Sequence, residues 1–303
     1  MFNENQNSTV SVAEVIEMPT PQIMNPFEQI TKHHSRSEHY DFISTSDLFD
    51  VFSKHGYNCE EINRRKTRKA DKKGFEKHSF AVYGGEQLSK YELFSDKGTP
   101  RIIVTNSHCG DSSLILRVGY FRRVCANGLL VSEDIFKPVT LRHRNLTPEM
   151  IMLAVEQVAA QYEDIMGYFK YLMDVEPTEA ERKEYARLVA QARLSVSSRQ
   201  VESIENAEDL LNVNREEDAV NSWWHLINTV QENVVGRPVA LQYTFKSLDK
   251  ENKEVTKTRK TSEKPIRNIE AHMKLNQACF SIANEILGIA PDQQEEVEVL
   301  QAA

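Results

Sequence analysis

Long apolar runs and secretion signals are missing from this 303-residue chain. No stretch approaches the roughly 20 consecutive apolar residues that a membrane helix needs. The first fifteen residues, MFNENQNSTVSVAEV, lack the basic and then apolar pattern of a secretory signal. We therefore expect a cytoplasmic protein with no membrane partner.

Cysteine is scarce, and the familiar catalytic signatures are absent. The four cysteines, Cys59, Cys109, Cys125 and Cys279, are widely spaced and form no CxxC pair. This spacing argues against a disulfide framework and against a zinc ribbon, and it predicts reduced thiols. The chain has no phosphate loop, dinucleotide fingerprint, HExxH or G-x-S-x-G motif. We expect no cofactor, no metal and, on balance, no catalytic activity.

Charge is segregated along the chain, although the formal net charge is −8. Residues 36–145 hold 19 Lys and Arg against 14 Asp and Glu. Residues 146–235 hold 7 against 17, and residues 236–303 hold 10 of each. A basic face can therefore exist on a protein that is acidic overall.

The order of periodic segments predicts an α+β fold. We expect a flexible arm over 1–35, a basic β-rich region over 36–145, a helical region over 146–288 and an acidic flexible tail over 289–303. The first region predicts a mostly antiparallel sheet, because short β-branched and aromatic runs alternate with Gly, Asn, Asp and Pro. A polar β-hairpin is expected over 239–260, followed by a C-terminal helix.

Capping signals mark the predicted helices. Ser44-Thr45 precedes a short helix that ends at Gly56, and Thr147-Pro148 begins a helix expected to run unbroken through the 160s. Thr178 and Glu181 form a capping box. A further helix is expected over about 217–235, where Trp223, Trp224 and His225 cannot all face one side, so one Trp is expected to anchor the core.

Three segments of the sequence resemble one known family. They are NSHCGDSSLILRVGYFRRVCANGLLV followed by RHR, then WWHLINTVQENVVG, and finally RNIEAHMKLNQACFSIANEIL. Together they are similar to the phage- and plasmid-like proteins of domain-of-unknown-function family 932. The resemblance spans about residues 35–288 and implies a mobile genetic element in a bacterial host cell, without implying an activity.

The strongest feature that carries chemistry is a basic run at residues 64–78, in which eight of fifteen residues are Lys or Arg. Lys and Arg bind nucleic-acid backbones by displacing condensed counterions. Nearby aromatic residues could add base stacking; they are Phe75, Phe80, Tyr83, Tyr120 and Phe121. The predicted nucleic-acid-binding residues are Arg64, Arg65, Lys66, Arg68, Lys69, Lys72, Lys73, Arg117, Arg122, Arg123, Arg142, His143 and Arg144. A solvated loop is the competing interpretation of the run.

A second group of polar residues lies on or between neighbouring predicted strands. Its members are Asn106, His108, Asp111, Cys125 and Asn127, with Ser107 and His143 beside them. His108, Cys125 and His143 offer donors that suit zinc, and Cys125 with a nearby His resembles a nucleophile pair. Asn127-Gly128 is also typical of a tight turn, and the histidines can hydrogen-bond the backbone or a phosphate.

The sequence therefore favours a non-catalytic nucleic-acid-binding protein of a mobile element. Single-stranded DNA is the expected partner, in replication, recombination or defence evasion. One alternative is a metal- or thiol-dependent enzyme centred on His108, Cys125 and His143. Another is an inhibitor or decoy that binds a host protein through acidic helices. A homo-oligomer is compatible with all three, since acidic helices can face a neighbouring copy's basic face.

Overall fold

The computed structural model describes residues 26–64, 67–91, 98–122, 129–130, 137–195, 201–248, 251–266 and 269–289. Over these residues the chain has the predicted α+β fold, with a mostly antiparallel sheet in the first half and helices after it. None of the described helices combines the length and the apolar character that a bilayer crossing requires.

The described part of the first half forms a sheet of six strands. They are β1 (Tyr57–Arg64), β2 (His78–Gly84), β3 (Gly98–Asn106), β4 (Leu114–Arg122), β5 (Leu129–Leu130) and β6 (Val139–Leu141). The spatial order is β1-β2-β3-β4-β5, with every pairing antiparallel. β6 pairs with the first residues of β4, and β5 pairs with its later residues.

The α-helices pack against this sheet and beyond it. They are α1 (Thr45–Lys54), α2 (Gly85–Ser89), α3 (Pro148–Ala160), α4 (Tyr162–Asp174), α5 (Glu179–Ser195), α6 (Trp223–Gln231) and α7 (Ile269–Leu287). A smaller sheet joins β7 (Ser203–Ile204) to a hairpin of β8 (Val239–Leu248) and β9 (Glu254–Glu263).

Alternation along the strands decides which face of the large sheet is buried by helices. Phe80, Val82, Ile102, Val104 and Leu116 have no exposed surface and belong to the same core as α1, α3 and α4. Successive residues of a strand point to opposite faces, so their neighbours Tyr83, Arg101 and Arg117 lie on the other face. The hydroxyl of Tyr162 ties α4 to the sheet, lying 2.6 Å from the carbonyl oxygen of Arg101 and 2.8 Å from that of Gly119.

The predicted caps of α1 and α5 are present. The Ser44 hydroxyl accepts a hydrogen bond from the Asp47 N–H at 3.0 Å. Glu181 accepts from the Thr178 N–H at 2.7 Å, and the Thr178 hydroxyl accepts from the Glu181 N–H at 3.3 Å. These reciprocal bonds satisfy backbone donors that the first helical turn leaves without partners.

The long helix predicted after Thr147 is divided in two at Gln161. The Gln161 N–H bonds to the carbonyl of Val158, three residues back, and its side chain donates to the carbonyl of Lys137 at 3.2 Å. This tertiary contact lies at the junction of α3 and α4. Amphipathic spacing continues through the break, which is why the sequence indicates a single helix.

Both tryptophans of α6 are buried, which corrects the expectation that one of them anchors the core. Trp223 packs against Tyr185 at 5.5 Å between ring centroids, and Trp224 packs against Phe169 at 4.5 Å. Helices surround α6 on more than one side, so residues that point in different directions all find apolar neighbours. α6 is also shorter than predicted, because Ser222 caps it and a π-helical turn, Glu232–Gly236, ends it.

Replacing Tyr162 by Phe tests the link between α4 and the sheet. Loss of a buried hydroxyl that faces two carbonyl oxygens should lower the free energy of unfolding by about 1–3 kcal/mol. Urea denaturation measures this change. Tyr171→Phe in the same helix is the matched control, since Tyr171 is 43% exposed. Equal changes for the two variants would contradict the assigned role of Tyr162.

Candidate nucleic-acid interface

Strand register gathers four separate segments at one end of the large sheet. His78, the first residue of β2, pairs with Asn106, the last residue of β3. Leu114, the first residue of β4, pairs with Leu141, the last residue of β6. The chain before β2, the loop between β3 and β4, and the chain after β6 therefore meet at this end. β1 reaches it too, because Arg64 pairs with His78.

Several predicted nucleic-acid-binding residues meet at this end. Arg68, Lys69 and Lys73 are exposed or half-buried in the segment before β2, and Arg142 and Arg144 are exposed after β6. We call these five residues the basic rim. Lys72 lies among them, and its ammonium group forms an ion pair with Asp111 at 2.7 Å. This ion pair also raises the pKa of Lys72.

Other predicted cations are placed elsewhere. Arg117 lies on the second face of the sheet, where its guanidinium donates to the Thr105 hydroxyl at 3.5 Å. Arg122 pairs with Gly98 at the opposite end of β4, about 27 Å from Leu114 along the strand. Arg65, Lys66 and Arg123 lie outside the described residues, as do the side chains of Arg64 and Arg122.

The aromatic residues of the sheet do not form an open stacking surface. Phe80 and Tyr120 are fully buried on the helix-covered face, so they cannot stack on bases. Tyr83 and Phe121 lie on the other face, but the Arg101 guanidinium occupies the space over both rings, 4.6 and 4.5 Å from their centroids. Strand alternation explains the difference, since it assigns each ring to one face.

Next to Arg101, on the side of the basic rim, the second face is closed as well. Ala81 and Ile103 are buried there, with Met273 of α7 packed against them. Phe75, inside the basic run, is half-buried with its ring against His33 at 5.1 Å.

A buried cluster of histidines lies beneath the basic rim. The Thr45 hydroxyl lies between two of them, 2.7 Å from His78 Nε2 and 3.2 Å from His108 Nε2. The two imidazole rings are 4.8 Å apart, and Thr45, His78 and His108 are almost completely buried. His143 is 8% exposed and stacks on Tyr40 at 4.6 Å. The Tyr40 hydroxyl donates to the carbonyl of Ser107 at 2.5 Å.

Backbone carbonyls define the protonation of each ring, because a carbonyl oxygen can only accept. His78 Nδ1 lies 2.9 Å from the Glu76 carbonyl, so this nitrogen carries the proton and Nε2 accepts from Thr45. His108 Nε2 lies 2.9 Å from the Pro26 carbonyl and therefore donates. His143 Nδ1 donates to the Asp41 carbonyl at 3.2 Å. Each carbonyl therefore fixes which ring nitrogen carries the hydrogen when the ring is neutral.

Desolvation keeps these rings neutral. Burial lowers the pKa of His78 to about 4 and the pKa of His108 to about 3. It also lowers the pKa of His143, although the nearby Asp41 acts in the opposite direction. The cluster is thus a neutral hydrogen-bonded layer beneath a charged surface.

The segment 26–43 closes the cluster. It includes the last residues of the predicted arm, where Gln29 and His33 are buried and the backbone N–H of His33 donates to the backbone carbonyl of His108 at 3.0 Å. The polar composition of 26–35 predicts no core, yet its polar groups find partners across the sheet end. Residues 1–25 lie outside the described residues.

The second predicted group is only partly brought together. Asn106, His108 and His143 lie in or beside the cluster, and Asp111 pairs with Lys72 at its edge. Cys125 and Asn127 lie outside the described residues. Within the described ranges, no three His, Cys, Asp or Glu residues are grouped to hold a metal ion. Cys59, Cys109 and Cys279 are free thiols, and burial raises the pKa of each.

Sequence reasoning missed His78, Thr45, Tyr40 and Asp41. A signal existed for His78, because it is two residues before Phe80 and four before Val82, on the buried face of the same strand. A histidine in that register must find a buried partner. Thr45 could be recognised only as a helix-start residue, since its partners are 33 and 63 residues away along the chain.

The fold and this sheet end define an α+β protein with a basic rim supported by a neutral histidine layer. A family model described as "Domain of unknown function (DUF932)" matches residues 32–276. The chain belongs to this family, and the resemblance noted in its sequence is thereby confirmed.

Two relatives from Escherichia coli (strain K12) have comparable length. The chain is 26% identical to UPF0380 protein YfjQ over 259 residues, which cover 84% of this chain and 85% of that protein. It is 26% identical to UPF0380 protein YafZ over 256 residues, with the same coverage. No solved structure matches.

Stability should depend on pH through the histidine layer. In the unfolded chain a histidine has a pKa near 6.5. In the folded protein, burial lowers the pKa of His78 to about 4 and that of His108 to about 3. The contribution of these two histidines to the free energy of unfolding is therefore fully present above pH 6.5 and is lost as the pH falls. The slope of this loss approaches ~1.4 kcal/mol per pH unit for each histidine. Urea denaturation between pH 7.5 and 5 measures this slope.

Removing one titrating ring gives the control. His78→Gln should lower stability at pH 7.5 but flatten the slope below pH 6.5. His55→Gln, at an exposed position after α1, should leave the slope unchanged. If the His78 variant keeps the wild-type slope, the buried neutral state assigned to His78 is wrong.

Proposed function

We propose that this protein is a non-catalytic nucleic-acid-binding protein whose basic rim contacts the sugar-phosphate backbone. The observation that carries the proposal is the meeting of two separate basic segments at one sheet end. Residues 67–78 and 137–144 together contain eight Lys and Arg against two Asp and Glu. Such a local excess attracts a polyanion even though the whole chain is acidic.

The basic segments are attached to the buried layer, which supports a defined binding surface. The backbone N–H of His108 donates to the backbone carbonyl of Phe75 at 3.2 Å, and the ring nitrogen His33 Nε2 lies 3.0 Å from the backbone carbonyl of Asp71. On the other segment, the Asp41 N–H donates to the His143 carbonyl at 3.0 Å. Cations on an ordered backbone lose less conformational freedom when they bind than cations on a free loop.

Single-stranded DNA remains the partner that we favour. The rim lies at one end of the large sheet, and the sequence offers no helix-turn-helix or zinc finger for reading a duplex. Because the described rings are buried or capped by Arg101, we expect phosphate contacts to contribute more than base stacking. A role in replication, recombination or defence evasion of a mobile element rests on the family resemblance.

Oligonucleotide binding across a salt series tests this function. Wild-type protein should bind with an affinity that falls steeply as salt rises, and single strands should bind more tightly than duplexes. Replacing Arg68, Lys69, Lys73, Arg142 and Arg144 by Ala should reduce the slope of log K against log salt by about 0.7 for each phosphate that the variant no longer binds. Fluorescence anisotropy provides both affinity and slope.

Three exposed lysines outside the rim serve as the matched control. Lys54, Lys90 and Lys170 are exposed and lie on or next to helices away from the rim segments in the chain. Replacing these three by Ala should change the slope much less than replacing Arg68, Lys69 and Lys73. If the two triple variants change the slope equally, the basic rim is not the binding surface.

A further inference from the structure

The outer edge of β9 has no strand beside it in the described part of the chain. β8 and β9 pair along ten residues each, from Val239 with Glu263 to Leu248 with Glu254. β7 occupies the other edge of β8, so the small sheet ends at β9. The outward N–H and C=O groups of an edge strand are a template for another extended segment.

Three cations mark this edge. Lys257, Arg259 and Lys260 are exposed on β9. These cations oppose pairing of β9 with the β9 of another copy. In the three central antiparallel registers, Lys257 lies opposite the other copy's Lys260 or Arg259, or the two copies of Arg259 lie opposite each other. Like charges directly opposite one another destabilise a strand pair. The edge therefore selects an acidic partner.

The chain contains one segment with the matching pattern. Residues 294–300, which lie outside the described residues, read QEEVEVL. We propose that this segment of a second copy adds to the small sheet as a strand antiparallel to β9. In one register Glu295, Glu296 and Glu298 lie opposite Lys260, Arg259 and Lys257. The same register places the apolar residues opposite small or apolar ones: Val297 with Thr258, Val299 with Thr256, and Leu300 with Val255.

This register is specific. Displacing the segment by one residue in either direction leaves a single opposite-charge pair instead of three, and parallel pairing gives at most two. Opposite-charge pairs and β-branched pairs across strands each stabilise the pairing. The argument rests on β9 and this acidic segment, and it is independent of the nucleic-acid proposal.

Chain geometry assigns the segment to a second copy. α7 runs antiparallel to α5, because the Tyr185 hydroxyl bonds the Cys279 carbonyl while Arg193, later in α5, bonds the carbonyl of Lys264, before α7. The 19 residues of α7 therefore lead about 28 Å away from the base of the hairpin. Glu295 follows Ile289 by six residues, which span at most about 20 Å. Glu295 therefore cannot return to the base of the hairpin in its own chain, whereas a second copy can supply the segment without this constraint. Two copies can then exchange segments reciprocally.

Charge reversal in the full-length chain tests the exchange. One variant carries Lys257→Glu, Arg259→Glu and Lys260→Glu, a second carries Glu295→Lys, Glu296→Lys and Glu298→Lys, and a third carries all six. Sedimentation velocity should show a concentration-dependent dimer for wild type and at least about tenfold weaker association for each triple variant. The six-fold variant should regain association, because the charge pairs are restored with inverted sign.

The control variant reverses Lys54, Lys90 and Lys170, which are exposed at other sites, and should associate as wild type does. Rescue in the six-fold variant excludes misfolding as the cause of weakened association. A wild type that stays monomeric at about 100 µM, a concentration well above the micromolar range of specific association, would overturn the proposal, as would triple variants that associate normally. Loss of oligonucleotide binding in the β9 variant with unchanged association would also overturn it, assigning this edge to nucleic acid instead.

Discussion

The hydrogen bonds of the Thr45 hydroxyl with His78 and His108 hold together the end of the sheet on which the candidate site is built. The hydroxyl donates to His78 Nε2 at 2.7 Å, and at 3.2 Å it shares the single N–H of His108 Nε2 with the carbonyl of Pro26. His78 Nδ1 also donates to the carbonyl of Glu76 in its own segment, whereas His108 Nε2 reaches the carbonyl of Pro26 in a distant one. Because these groups are desolvated, removing one partner leaves another polar atom buried without compensation.

This layer explains how a chain of net charge −8 can present an ordered basic surface. The segments that carry the rim approach the sheet end with many cations, and their mutual repulsion opposes close packing. The buried histidine rings form hydrogen bonds with backbone carbonyls at this end of the sheet and add no positive charge there. The ion pair of Lys72 with Asp111 compensates one cation at this end of the sheet, where Arg68, Lys69 and Lys73 are exposed.

Much of the fold could be predicted from local signals. Strand alternation, the Ser44 and Thr178 caps and the hairpin all depend on neighbours within a few residues. The face on which a ring lies depends on register between distant strands, which is why the sequence suggests Phe80 and Tyr120 for base stacking although both lie in the core. The burial of Gln29 and His33 and the contacts of Thr45 depend on partners tens of residues away, and no local pattern marks them.

Hydrogen–deuterium exchange of Thr45→Val against wild type tests most directly whether the buried layer holds the basic rim. Val has nearly the same shape but cannot donate to His78 or accept from His108. Amide exchange should become faster both in residues 67–77 and in residues 141–147, while the β8–β9 hairpin remains unchanged. Faster exchange confined to α1, with both rim segments as protected as in wild type, would contradict the account.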